Sequence, residues 1–228
     1  MPAALPTEPV AVPAKVAVSP PARLHYELVV HSRGATLTGQ ALLDWTHDGQ
    51  DYEARLELTA PGFRGRVQRS TGRITAQGLE PGYFSDRYRG EQATHFDRAQ
   101  DRVVFSSNRP EAALAQGMQD RLSVVLQLAA LVAGDPARFV QGTPIEVPTA
   151  GTRDAEPWTF TVQGEEDLVL PGGPVRALKL QKDPRREYDQ RVELWLAPRM
   201  DYAPVRWRLT APDGGAVEQR WASTDRSR

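Results

Sequence analysis

Residues 120–136 read DRLSVVLQLAALVAGDP, with no charge from Leu122 to Ala133. Leu122, Val125, Leu126, Ala129 and Val132 form one stripe at helical spacing, and Val124, Leu128 and Leu131 form a second beside it. Only Ser123 and Gln127 interrupt the circumference. Asp120 reads as an N-cap, Gly134 as a C-terminal cap and Pro136 as a stop. A helix apolar over most of its girth has to be covered on most sides. Nearly everything else in the chain reads as strand. The expected fold class is therefore mainly β: a large curved antiparallel sheet, or an incomplete β-barrel, packed around one apolar helix at about 120–133. Sheets of this many strands curl rather than stay flat, so the helix is expected to plug the concave face.

The strand signals are period-two alternations. Leu24, Tyr26, Leu28 and Val30 alternate with His25, Glu27 and His31, and Ala41, Leu43 and Trp45 follow. After a turn at Asp48-Gly49, Tyr52, Ala54, Leu56 and Leu58 alternate with Glu53, Arg55 and Glu57. This predicts hairpins with one wet face. Gly62, Gly65 and Gly72 predict bends or bulges in the next segment. Residues 110–115 predict a short turn of helix before the main one, and residues 158–162 and 166–170 two separate strands. Pro171-Gly172-Gly173-Pro174 and Asp213-Gly214-Gly215 mark turns between the closing strands. In one of these, Val192, Leu194 and Leu196 face opposite to Arg191, Glu193 and Trp195.

Residues 1–21 are a different material, with six prolines and no aromatic. The domain organisation expected is a Pro/Ala-rich, disordered tether over 1–22, a single β-rich domain over 23–224 and a tail at 225–228. The tether reads either as a simple tail or as a spacer behind a membrane anchor that this sequence lacks. With 28 Lys plus Arg against 29 Asp plus Glu, the net charge of −1 gives no global reason to expect a nucleic-acid partner. The absence of cysteine removes disulfides and thiolate chemistry. No apolar run is long enough to span a bilayer as a helix.

Five stretches carry a family resemblance: DRLSVVLQLAALVAGDPARF, GTRDAEPWTFTVQGEEDLVLPGG, LKLQKDPRREYDQRVELWLAPRMDYAPVRWRLT, ALLDWTHDGQDYEARLEL and GRITAQGLEPGYFSD. Together they resemble the bacterial envelope family known as domain of unknown function 3108, over roughly Leu24 to Ser223. The resemblance implies an exported, periplasmic protein, often with an N-terminal hydrophobic segment ahead of a Pro-rich spacer. Membrane association would then run only through such a segment, anchored in the inner membrane. The family brings no activity, so no position inherits a catalytic role.

The residues themselves point away from catalysis. No GxSxG elbow, GxGxxG or phosphate loop occurs. His25 and His31 share a strand face but lie about 20 Å apart by strand rise, too far to share a metal. No catalytic, metal or cofactor residue is therefore assigned. The ligand-binding candidates are Leu126 and Leu128 on the helix, Trp195 on the face opposite the core aliphatics, and Arg185 and Arg186. The two arginines offer planar donor forks to an anion, although their loop is self-neutralised by Asp183, Glu187 and Asp189.

Three functions remain open. The first is a non-catalytic envelope protein holding a lipid or other hydrophobic ligand between sheet and helix. The second is a structural module that recruits an envelope protein through a bare strand edge. The third is a hydrolase of an envelope polymer using Asp189 or Asp44. A cavity beneath the helix favours the first, a filled core with a long bare edge the second, and a cleft with two close carboxylates the third.

Overall fold

The computed structural model describes residues 15–32 and 34–226. One fifteen-stranded sheet wraps a single helix. The strands are β1 (Ala22–Ser32), β2 (Ala35–His47), β3 (Asp51–Ala60), β4 (Phe63–Thr75), β5 (Gly78–Arg87), β6 (Glu91–Asp97), β7 (Arg102–Phe105), β8 (Ala112–Ala113) and β9 (Gln119–Asp120). Helix α1 (Ser123–Gly134) follows, then β10 (Pro144–Ala150), β11 (Ala155–Leu170), β12 (Gly173–Lys182), β13 (Arg191–Ala197), β14 (Ala203–Thr210) and β15 (Ala216–Arg226). The spatial order is β8-β7-β6-β5-β4-β3-β2-β1-β15-β14-β13-β12-β11-β10-β9. Two meanders thus run outward from the β1–β15 pair. Every neighbouring pair is antiparallel except β9–β10.

The alternation in the sequence decides which face turns inward. Leu24, Tyr26, Leu28, Leu43, Trp45, Ala54, Leu56 and Leu58 are buried in one core with the helix. All ten residues from Ser123 to Val132 are buried, as a helix apolar on every side requires. Leu128 is fully buried, and truncating such a leucine to alanine costs about 2–5 kcal/mol.

The two ends of the sheet approach each other where β5, β6 and the residues after β7 meet β9 and β10. No backbone ladder joins them there. Side chains do, beside the start of β5 where Gln127 docks the helix: Gln127 Oε1 accepts from Leu79 N at 2.7 Å and its Nε2 donates to Gln77 O at 2.9 Å. Gln119 Nε2 donates to Leu79 O and Thr94 Oγ1 to Gly151 O, both at 2.7 Å, and Ser107 Oγ to Thr152 O at 2.8 Å. The incomplete barrel is closed by a polar seam. Gly78 in β5 has φ +101°, and a Cβ there would strike the Gln127 amide.

The structure redraws several local boundaries. The regular helix begins at Ser123, yet Asp120 performs the capping. Its Oδ1 accepts from Leu122 N and Ser123 N at 2.8 Å each, while Asp120 N donates to Ser123 Oγ at 2.9 Å, a reciprocal box. Gly134 is the last helical residue rather than a left-handed cap, with Asp135 at the cap position. The lack of a side chain at Gly134 matters for another reason: a Cβ there would lie 2.2 Å from Lys15 O. The expected helical turn at 110–115 is instead the edge strand β8, because Arg102 grips Glu111 and Leu114 N donates to Asp101 O. The two strands expected over 158–170 are one strand with a bulge at Gly164, φ +110°.

The tether also ends earlier than expected. Its first fourteen residues lie outside the described ones, but residues 15–21 run across one end of the barrel. Ala17 N donates to Ala130 O at 3.0 Å, and Ser19 O accepts from Trp45 Nε1 at 2.9 Å and His47 Nε2 at 3.0 Å. Val16 and Val18 pack on the core, which a purely compositional reading of a Pro/Ala segment underrates. Of the expected tail, Asp225 and Arg226 belong to β15, paired with Arg23 and Ala22; the last two residues are outside the described ones.

Candidate ligand cavity

A cavity of about 320 Å³ lies beneath the first turn of α1. Its roof is Val124 and Val125, preceded by Arg121. Its walls are apolar side chains from six strands: Val30 (β1), Leu56 and Leu58 (β3), Trp158 and Phe160 (β11), Val192 and Leu194 (β13), Trp207 and Leu209 (β14) and Val217 (β15). The polar lining includes His31, Ser32, Gln190 and Asp213, together with Arg66 and Gln68 of β4. Size and composition fall within the range of small-molecule sites, mostly apolar with a few placed polar groups.

The charged groups around the cavity are largely paired. Arg66 forks onto Asp86, with Nε to Oδ1 at 2.8 Å, and Gln68 Nε2 donates to the same carboxylate at 2.9 Å. Arg121 donates from Nη2 to Asp154 at 3.2 Å, and its guanidinium stands 5.8 Å from the Trp158 ring centre. Lys182 lies 5.2 Å from the same ring centre. Its buried ammonium donates to Asp189 Oδ2 at 2.7 Å and Gln190 O at 3.1 Å. Burial would raise the Asp189 carboxyl, but Lys182 and the N–H groups of Arg185 and Gln190 outweigh it and hold the carboxyl below its usual range.

Three buried polar atoms on the lining have no hydrogen-bond partner: Trp207 Nε1, Gln219 Oε1 and Arg121 Nε. Trp207 and Gln219 are 5% and 2% exposed and stand directly opposite each other on β14 and β15. These three atoms are closed even to water, so other atoms of the same side chains face the cavity.

The sequence-derived candidates fall elsewhere. Leu126 lines a second cavity of about 340 Å³, walled by Trp45, Leu24, Met200 and Trp221 with Ser19 and Pro20. Leu128 is enclosed in the core and lines neither of these two cavities. Trp195 is on the convex face, where the β11–β12 hairpin folds over it: Leu168, Leu170, Ala177, Ala197 and Val205 form a second cluster around it. Its Nε1 donates to Glu166 at 2.7 Å, and Lys179 and Arg206 flank the ring at 4.9 and 4.3 Å. Gly172 at the hairpin tip permits this cover, since a Cβ there would strike the Trp221 ring. Arg185 donates to Pro157 O at 2.8 Å, and both it and Arg186 lie on the exposed β12–β13 loop. The five candidates therefore do not converge on one site. Asp44 is paired with Arg23 at 3.2 Å and Asp189 with Lys182.

A second buried network lies at the far side of the helix start. Ser70 Oγ donates to Asp120 Oδ2 at 2.6 Å, and Tyr52 OH is 3.0 Å from Ser70 Oγ. Burial pushes the Asp120 carboxyl up to about 6, against the hydrogen bonds from Ser70, Ser123 and Leu122 that favour its charged form. Burial also holds the Tyr52 phenol well above its ordinary range, and the Asp120 charge adds to this. Among the described residues no group of three or more His, Asp or Glu converges to hold a metal ion.

The sequence did carry a trace of the cavity. Gln219 shares its strand phase with Val217 and Trp221, so it is a polar residue on an apolar face. Nothing in the sequence pairs it with Trp207, because strand register depends on the turn between them.

The family described as Protein of unknown function (DUF3108) matches residues 23–219. Among solved structures, the chain is similar to a beta-barrel-like protein of domain of unknown function DUF1849 from Brucella abortus. The TM-score is 0.56 at 12% identity, covering 93% of this chain and all of that one. A protein with a YmcC-like fold from Bacteroides fragilis aligns over 93% of this chain at 8% identity and a TM-score of 0.37. No curated protein matches the chain. The first likeness concerns the fold alone.

Proposed function

We propose that this chain, which belongs to the DUF3108 family, is a non-catalytic binding protein for a hydrophobic molecule with a polar group, held between α1 and the sheet. The observation that carries the reading is the cavity of about 320 Å³ under Val124 and Val125, walled by apolar side chains from six strands with Arg66, Gln68, Gln190 and Asp213 among its polar lining. The setting proposed is the periplasm, which rests on the family resemblance. No helix among the described residues is long and apolar enough to cross a membrane. An edge-recruiting module is the second reading, since β9 pairs only with Thr149 and Ala150 and leaves residues 144–148 of β10 with one neighbouring strand. A hydrolase is supported less, since Asp44 and Asp189 are each engaged by a cation.

The test is native mass spectrometry of protein isolated from a bacterial periplasm, followed by organic extraction. An adduct of defined mass is expected. It should vanish in Val125→Trp, which fills the cavity, provided circular dichroism shows the variant folded. A clean protein mass, unchanged after incubation with an envelope lipid extract, would overturn the reading.

A further inference from the structure

We infer that the second cavity, beneath Leu126, is a separate binding site for an uncharged apolar molecule, and that residues 15–21 are its lid. The cavity holds about 340 Å³ and shares no lining residue with the one under Val124 and Val125. It lies between the start of β1, the end of β15 and the β13–β14 turn, whereas the first cavity reaches the β14–β15 turn at Asp213. The two sites therefore occupy opposite ends of the barrel.

The lining of the second cavity selects against charge. Its walls are Leu24, Leu126, Met200, Pro204 and the rings of Trp45 and Trp221. Both indole N–H groups are already bonded, Trp45 Nε1 to Ser19 O at 2.9 Å and Trp221 Nε1 to Thr224 Oγ1 at 2.8 Å. The Pro204 carbonyl is taken as well, by Tyr26 OH at 2.8 Å. Among the described residues no Lys, Arg or His lines the space, and its one carboxylate belongs to the exposed Asp201. An anion would give up its hydration and meet no cation. A cation would do better at the solvated rim, beside Asp201, than against the walls. An uncharged apolar molecule gives up no hydrogen bonds on entry.

Ser19 and Pro20 of the chain ahead of β1 complete the lining. This strap is held by isolated bonds: Ser19 O accepts from Trp45 Nε1 and His47 Nε2, and Ala17 N donates to Ala130 O. Pro20 and Pro21 bring no N–H, so they cannot extend the β1 ladder. A segment held in this way opens at a lower free energy than a strand within the sheet. Gly134 leaves room for it, since a Cβ there would lie 2.2 Å from Lys15 O. At the other rim Asp201 and Tyr202 both take left-handed backbone, with φ 54° and 56°. That conformation is rare for a bulky side chain, and such strain gathers at ligand sites.

The experiment is stopped-flow fluorescence of the purified full chain with N-phenyl-1-naphthylamine, an uncharged dye bright in apolar surroundings, and with 8-anilinonaphthalene-1-sulfonate, the same ring system carrying a sulfonate. The uncharged dye should bind both the native chain and Val125→Trp, in which the first cavity is filled. Its affinity should fall at least about tenfold in Leu126→Trp, which fills the second. Ala203→Leu fills the same space from β14 and serves if Leu126→Trp does not fold. The sulfonate should bind Val125→Trp at least about tenfold more weakly than the uncharged dye. Two substitutions outside the lining loosen the strap. Gly134→Ala sets a methyl against Lys15 O where alanine is the better helix former, and His47→Phe removes one bond to Ser19 O. Each should speed association of the uncharged dye at least about threefold. Binding lost in Val125→Trp but kept in Leu126→Trp and Ala203→Leu would overturn the second site and leave the function of the first standing. Equal affinity for the two dyes in Val125→Trp would overturn the uncharged class. Unchanged association in both strap variants would overturn the lid, and no binding of either dye to the native chain would overturn the site itself.

Discussion

Two buried glutamines of this barrel, one on its helix and one on its wall, are in opposite states. Gln127, on the helix, accepts from Leu79 N and donates to Gln77 O, and so docks α1 onto β5 beside the seam. Gln219, on β15, is more deeply buried but its Oε1 has no partner among the described residues. The seam is a place where the backbone of an open sheet runs out of partners and side chains replace the ladder. The cavity wall is a place where the ladder is complete and a side chain is left over. Buried polar atoms in the first region stabilise the fold; those in the second lower its stability until something pairs with them.

The largest test of that contrast is Gln127→Leu. It strands the buried Leu79 N–H, worth about 1–3 kcal/mol when unpaired, and gives up the bond to the carbonyl of exposed Gln77, so a loss of about 3 kcal/mol is expected in urea denaturation. A loss below about 1 kcal/mol would mean that Gln127 is not a structural anchor of the helix.

Asp120 gives the next effect, through pH. Its folded pKa of about 6 lies above the ordinary value of 3.8, so the folded state binds the proton more tightly than the unfolded one. The stability this contributes is complete below pH 3.8 and lost as pH rises through about 6, a total of order 3 kcal/mol. Asp120→Asn keeps an oxygen for the Leu122 and Ser123 N–H groups but cannot titrate. Its stability relative to the native chain should rise across this window, and a flat difference from pH 3 to pH 7 would refute the buried carboxyl.

Thr94→Val removes the Thr94 bond to Gly151 O and should cost about 1–2 kcal/mol, read from the shift in denaturation midpoint. The smallest change carries the opposite sign. Gln219→Met replaces an unpaired acceptor by an apolar side chain and should stabilise the ligand-free protein by about 1 kcal/mol. A destabilised Gln219→Met would show that this amide is a structural group like Gln127, and the distinction between the two regions would fall.

Much of the architecture was legible in the chain itself. The period-two runs of β1 to β3 and β13 to β15 and the turns at Asp48-Gly49, Pro171-Gly172-Gly173-Pro174 and Asp213-Gly214-Gly215 all appear in the structure. So does the apolar helix with Asp120 at its start. These signals are local, written in periodicity and in residues that cap or turn. The cavity was far less legible. The apolar girth of α1 says that it must be covered, but its uniformity hides which side meets a gap, and Leu126 and Leu128 are as apolar as Val124 and Val125.

Trp195 shows the same division. Its phase opposite Val192, Leu194 and Leu196 follows from the pleat and is readable from sequence. What covers it is decided by the β11–β12 hairpin, where Gly172 N at the tip donates to Trp221 O, 49 residues on in the chain, at 3.1 Å. Sequence alone determined that this protein is a curled antiparallel sheet around one buried helix, because strand and helix periods are local and each apolar face must find cover. Only the tertiary structure decided that Trp207 faces Gln219, that side chains close the seam and that the space beneath Val124 and Val125 is unfilled. Register and curvature set those relations, and both are properties of strands together.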